Sequence, residues 1–188
     1  MCKSVGLVLS FVGVFILRGA TQEVPCPSDR GGKALPHELT HVFLYADQAQ
    51  YALSQLLVVD VGINDGPDPV YIYGRIAWGY GGGLVLRLRD QSGKEVAPIL
   101  RDDTMLPPPS RNDDPSMFVK LIENKFFGTR REIPVPDLTK TPGKYSLQVE
   151  YRSPLFCGFV DPKLRRLPAL WHEDAGILSN VVSFEVTP

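Results

Sequence analysis

From residue 57 to residue 64 the chain alternates strictly: Leu57, Val59, Val61 and Ile63 hold one parity and Val58, Asp60, Gly62 and Asn64 the other. An apolar set at every second residue is buried together only if the backbone is extended, because successive side chains of a strand point to opposite faces. The run stops at Asn64-Asp65-Gly66-Pro67, where each residue favours a turn. The same pattern recurs. Tyr145, Leu147, Val149 and Tyr151 alternate with Lys144, Ser146, Gln148 and Glu150, and Val182, Phe184 and Val186 with Ser183 and Glu185. Leu84, Leu86 and Leu88 oppose Arg87 and Arg89, and Asp90-Gln91-Ser92-Gly93 turns this segment into residues 95–100 as a hairpin. With strands over 39–45, 70–77, 118–126 and 129–135 the expectation is eight or nine short strands and no helix. The 17 Pro and 17 Gly residues supply the turns such a chain needs. An all-β, antiparallel sandwich is the economical architecture.

A chain of 188 residues that is 44% hydrophobic and 22% charged buries a core and reads as one domain. Its formal net charge of -1 gives no basis for binding nucleic acid, whose affinity comes from neutralising phosphates.

Lys3 precedes an apolar run from Val5 to Leu17, and Gly19 and Ala20 follow it, the pattern of a secretory signal peptide over residues 1–20. As a helix this run rises about 20 Å, short of the ~30 Å hydrocarbon core, so a spanning anchor is the weaker reading. Arg18 interrupts the small-residue pattern before Ala20, which leaves an uncleaved anchor, and with it membrane association, as the alternative. Removing residues 1–20 takes away Lys3 and Arg18 and no acid, so the mature chain is mildly acidic and destined for a secreted or periplasmic location. Cys26 and Cys157 remain in an oxidising compartment and are expected to pair, fastening an N-terminal tail (residues 21–38) to a long loop near the C-terminus.

Within the domain, residues 39–188, two stretches resemble immunoglobulin-like and fibronectin type III domains of exported proteins. Residues 44–72 (LYADQAQYALSQLLVVDVGINDGPDPVYI) are similar to the opening strands of such domains, and residues 138–151 (LTKTPGKYSLQVEY) to their turn-and-strand. The resemblance implies an immunoglobulin-like sandwich in which Tyr145 hydrogen-bonds back across a corner. Leu147 stands where antibody domains have a cysteine, so the inter-sheet disulfide is absent and packing around Trp78 is expected to hold the sheets. The likeness is one of spacing and licenses a fold rather than an activity.

Three segments bear on chemistry. His37-Glu38-Leu39-Thr40-His41 matches H-E-x-x-H, which on a helix places two imidazoles on one face for zinc with the Glu as general base. Pro36 and the glycines before it leave no room for a helix running into the motif, a strand follows it, and Val61 stands where a third, glutamate ligand would fall. Residues 101–116 gather Asp102, Asp103, Asp113 and Asp114 around Pro107-Pro108-Pro109, either a solvated loop or a calcium site without EF-hand spacing. Residues 153–178 form the longest irregular segment and mix Phe156, Phe159 and Trp171 with Lys163, Arg165 and Arg166. Long loops carrying aromatic and Arg residues serve either as binding surfaces or as caps on a core. His172 has acidic neighbours in sequence but no Ser or Cys in a recognisable nucleophile turn.

The reading that results is an exported, non-enzymatic binding or accessory module, an inhibitor being one form of it. It has no catalytic residue, metal or cofactor, and it engages a protein or peptide through Phe156, Phe159, Lys163, Arg165, Arg166 and Trp171. The alternative is a zinc-dependent peptidase built on His37 and His41.

Overall fold

A computed structural model describes Cys26 and residues 40–64, 69–79, 81–97, 111–123, 126–172 and 175–188. In chain order its strands are β1 (His41–Ala46), β2 (Gln50–Ala52), β3 (Leu56–Asn64), β4 (Val70–Tyr73), β5 (Ala77–Trp78), β6 (Gly83–Asp90), β7 (Glu95–Val96), β8 (Phe118–Leu121), β9 (Phe127–Pro134), β10 (Gly143–Tyr151), β11 (Ile177–Leu178) and β12 (Val182–Thr187). A single helical turn, α1 (Val135–Leu138), joins β9 to β10. The expected all-β character holds. The proposed signal segment and the tail, Cys26 apart, lie outside the described residues.

The strands form three groups. β1, β3 and β9 make an antiparallel sheet in that order. A larger sheet runs β2-β12-β10-β6-β5, with β11 added to β10 and β7 to β6. β4 and β8 form a two-stranded ribbon of their own. The alternation read from the sequence decides what faces inward: Leu57, Val59, Val61 and Ile63 of β3 and Leu147 and Val149 of β10 are all within 3% of complete burial and share one core. Each such side chain contributes about 1.5–3 kcal/mol of transfer free energy, and a one-residue slip in either strand would turn the whole set to solvent, so the register is fixed. Trp78 sits in this core at 5% exposure, with the Arg131 guanidinium 5.4 Å above its ring.

The corner expected of Tyr145 is present. Its hydroxyl donates to the Thr141 carbonyl at 2.7 Å and lies 2.9 Å from the Thr139 hydroxyl, just beyond α1. That turn escaped the sequence reading because the β pattern runs into Val135; Pro136, which suits the first turn of a helix, ends the strand instead. β2 was also missed. Three residues are too short to show a period, and it is anchored by Tyr51, fully buried against Phe184 at 5.8 Å, as it pairs parallel with β12.

Two expected strands are shorter than their apolar runs. β8 ends at Leu121 rather than residue 126, because its partner β4 begins at Val70, opposite it. The 70–77 run breaks after Tyr73, since β5 belongs to a different sheet. Between β5 and β6 the chain doubles back through glycines: a Cβ on Gly82 would lie 2.4 Å from the Ala77 carbonyl oxygen, and Gly83 has φ +98°.

The ribbon has two buried faces. Val70, Ile72 and Leu121 belong to the main core, while Tyr73 and Phe118 face a second cluster with Leu155, Cys157, Val160, Ala169 and Trp171. Cys26 joins that cluster through its disulfide to Cys157, the Cα atoms 5.8 Å apart. The long loop therefore forms a second lobe on the far side of the ribbon.

The outer strands of the three-stranded sheet are each guarded. On β1 the Leu44 N–H donates to Asn180 Oδ1 at 2.8 Å while Asn180 Nδ2 donates to the Leu44 carbonyl at 2.9 Å, so this amide, next to a backbone bridge between Val42 and Ser179, takes the place of a neighbouring strand. On β9 Arg131 points inward, a charge that discourages another strand from pairing there.

Candidate functional site

The lobe is built by local hydrogen bonding followed by attachment to the ribbon. The Leu155 N–H donates to the Ser153 hydroxyl at 3.3 Å, and residues Cys157–Phe159 make a 3-10 turn closed by Val160 N–H to the Cys157 carbonyl at 3.3 Å. The Asp161 carboxylate accepts from the Lys163 N–H at 2.8 Å and starts a second turn, Leu164–Arg166. The chain then runs along the free edge of β4: Tyr71 donates to the Pro168 carbonyl and accepts from Leu170, both at 2.9 Å. The Asp161 N–H reaches the Asn112 carbonyl at 2.7 Å, and the His172 N–H the Leu155 carbonyl at 2.9 Å. Ordering a loop of this length costs conformational entropy, and the edge bonds, the buried cluster and the disulfide offset it.

This arrangement sorts the residues singled out in the sequence. Phe156 and Phe159 flank the first turn, 40% and 61% exposed, with their rings edge to face at 5.5 Å. Phe156 also lies against the His172 ring at 3.9 Å. A carbonyl only accepts, so His172 Nδ1 is the donor in its 3.0 Å contact with the Ser153 carbonyl. Lys163 and Arg166 are exposed, and Arg165 is half-buried with Nε donating to the Val160 carbonyl at 3.2 Å. Trp171 departs from the expectation of a surface residue. It is 1% exposed and packs edge to face on Phe118 at 5.5 Å, inside the lobe. An aromatic residue in an irregular segment has no period from which its direction could be read, so the sequence could not separate Trp171 from Phe156 and Phe159.

Both described carboxylates of the acidic loop are engaged. Asp113 makes a two-pronged contact with Arg111 at 3.1 Å, and Asp114 accepts from the Ser116 N–H at 2.9 Å. These partners hold both carboxyls below the usual range. Asp102, Asp103 and the three prolines lie outside the described residues. Of the H-E-x-x-H string, His37, Glu38 and Leu39 also lie outside them, while His41 opens β1 opposite Asn64 as an exposed strand residue. The helix through residues 34–50 that a peptidase would require is not formed over 41–46. Among the described residues, no group of three His, Cys, Asp or Glu side chains could hold a metal ion.

A second exposed aromatic group, unforeseen in the sequence, lies on the outer face of the three-stranded sheet: Phe43 at 44%, Tyr45 at 64% and Phe126 at 71% exposure. The signal was present. In β1 both parities are apolar or aromatic, Val42 and Leu44 on one and Phe43 and Tyr45 on the other, whereas a half-solvated strand carries polar residues on its outer face.

No protein-family model matches this chain, and no curated protein does. Among the described residues, no helix is long and apolar enough to cross a membrane. Chemically the lobe offers an exposed aromatic pair, with Lys163 and Arg166 exposed on the same segment and Lys163 within electrostatic reach of Asp113.

Proposed function

We propose that this chain is an exported, non-enzymatic binding or accessory module of immunoglobulin-like architecture that engages a protein or peptide through its disulfide-locked lobe. The architectural part is supported by the Tyr145 corner and by β2 lying parallel to the last strand at the rim of the larger sheet. Export is supported by the Cys26–Cys157 disulfide together with the apolar N-terminal run.

The observation that carries the binding role is the exposure of Phe156 and Phe159 on a segment otherwise immobilised. Leu155, Val160, Ala169 and Trp171 of the same loop are buried, so the two rings stay outside while their neighbours pack. A rigid aromatic projection binds at low entropic cost, and Lys163 and Arg166 add cations at its border. The partner is therefore a protein or peptide with an apolar pocket and an acidic rim.

Peptide-display selection against residues 21–188, counter-selected on a Phe156→Ser/Phe159→Ser variant, tests this reading. Enriched peptides should carry Asp or Glu beside apolar residues and bind the variant at least about tenfold more weakly, a loss of about 1.4 kcal/mol. Failure to enrich any peptide, or binding indifferent to the double substitution, would remove the lobe from consideration.

A further inference from the structure

We propose that a recess at the end of the β4–β8 ribbon is a binding site for a neutral sugar, taking a single pyranose ring. Neither Phe156 nor Phe159 lines it, so it is a second site rather than a part of the first.

The first support is the path of the chain where the ribbon ends. Tyr73 closes β4 opposite Phe118, and the ladder runs one step further as the Gly74 N–H donates to the Met117 carbonyl at 2.8 Å. Beyond this bond the chain leaves through Arg75 and arrives through a 3-10 turn, Pro115–Met117. Asp114 starts the turn by accepting from the Ser116 N–H at 2.9 Å. The result is a recess of about 170 Å³ whose walls include Tyr73, Arg75, Arg111, Asp114, Ser116 and Met117. Sites for drug-sized molecules run from ~300 Å³ upward, so this one admits a single small unit.

The second is hydrogen-bonding capacity left unused. Tyr73 is only 3% exposed, yet among the described residues its hydroxyl has no hydrogen-bond partner and is not sealed from solvent. A phenol packed this deeply ordinarily finds a partner, and the recess is the opening that Tyr73 lines. Arg75 is exposed and makes no ion pair among the described residues. Ser116, through its hydroxyl and its N–H, holds the Asp114 carboxyl below the usual range, so Asp114 is an ionised acceptor with lone pairs to spare.

The third is charge, which selects the ligand. Arg111 is bound to Asp113 through two contacts of 3.1 Å, and Lys163 of the lobe also acts on Asp113. Asp161 precedes Lys163 in the lobe, again one charge of each sign. Among the lining groups Arg75 and Asp114 remain, one cation and one anion. A phosphate would meet Asp114 and a metal ion would meet Arg75, so neither ion suits the recess. A sugar hydroxyl donates and accepts at once, and neighbouring hydroxyls can span a guanidinium fork and a carboxylate without any net charge. Half-buried Met117 gives the C–H face of the ring an apolar contact.

The size of the ligand sets the strength. A methyl pyranoside has about 13 non-hydrogen atoms, which at ordinary ligand efficiency gives a dissociation constant on the order of 1 mM.

Titration of isotope-labelled residues 21–188 with methyl α-glucopyranoside, methyl α-mannopyranoside and methyl β-galactopyranoside to about 20 mM, followed by amide chemical shifts, tests this inference. At least one of the three should give saturable shifts at Gly74, Arg75 and Ser116. Arg75→Gln and Ser116→Ala, both at exposed positions, should each weaken that binding about tenfold with unchanged circular dichroism. Phe156→Ser/Phe159→Ser should bind the sugar as the wild type does, so the lobe reading and this one fail separately. Absence of saturable shifts with all three sugars overturns the proposal, as does saturation at amides elsewhere or affinity indifferent to both substitutions. Tighter saturation of the same amides by inorganic phosphate or calcium chloride also overturns it, by assigning the recess to an ion.

Discussion

Tyr145 shows how much one hydroxyl can fix. Its ring is 8% exposed in the main core and stacks on Phe184 at 5.9 Å, while its oxygen holds the Thr139–Thr141 turn from inside. Tyr145→Phe keeps the ring and removes two contacts, leaving Thr139 and Thr141 their longer bonds to each other at 3.2 and 3.4 Å, so it should cost about 1 kcal/mol, measured as a lower urea midpoint at unchanged slope. Glu150 is one of the residues through which acidity acts, and the one with two arginine partners. The Arg87 guanidinium, followed by Arg152, holds its carboxyl below the usual range in the folded chain. The folded pKa lies below the unfolded one, so the stabilisation is complete above the unfolded value of about 4.3 and disappears as pH falls through the folded one. Glu150→Gln should lower stability at pH 7 and reduce the dependence of the urea midpoint on pH below about 5, and equal slopes in the two proteins would refute the assignment.

At the level of elements, legibility followed length. β3 and β10 could be read to within a residue or two because nine residues of alternation overwhelm any competing period. β2, β5 and β11 have two or three residues each and owe their existence to neighbours, which no local pattern reports. The site was half legible for a similar reason. The composition of the loop announced a binding surface or a cap, and the structure shows the cap in Trp171, while Phe156 and Phe159 project into solvent. The ribbon between two clusters makes a prediction for the lobe as a unit. The disulfide spans 131 residues and lies wholly in the second cluster, where the chain-entropy relation allows it about 4–5 kcal/mol at most. A Cys26→Ser/Cys157→Ser variant should therefore release the lobe first, with red-shifted Trp171 fluorescence and new cleavage between residues 153 and 172. The far-UV signal of the strands around the main core should persist. Simultaneous loss of both signals would show that the two clusters melt as one.

As a whole, the molecule carries its two exposed aromatic groups apart, one on the lobe beside the ribbon and one on the outer face of the three-stranded sheet. The sequence disclosed the scaffold because burial imposes periods on strands, and it marked the flat face only in β1, where both parities are apolar or aromatic. At the β1 margin of that sheet the strand edge is covered by a backbone bridge between Val42 and Ser179 and, next to it, by the Asn180 side-chain amide. Asn180 gives a hydrogen to the Leu44 carbonyl and takes one from the Leu44 N–H. Hydrolysis of that amide to a carboxylate, the slow ageing reaction of asparagine, would leave the second contact in place and turn the first into two oxygens facing each other. The Val42–Ser179 bridge would remain, so an aged chain should differ first in faster hydrogen exchange at the Leu44 amide rather than in loss of the sheet.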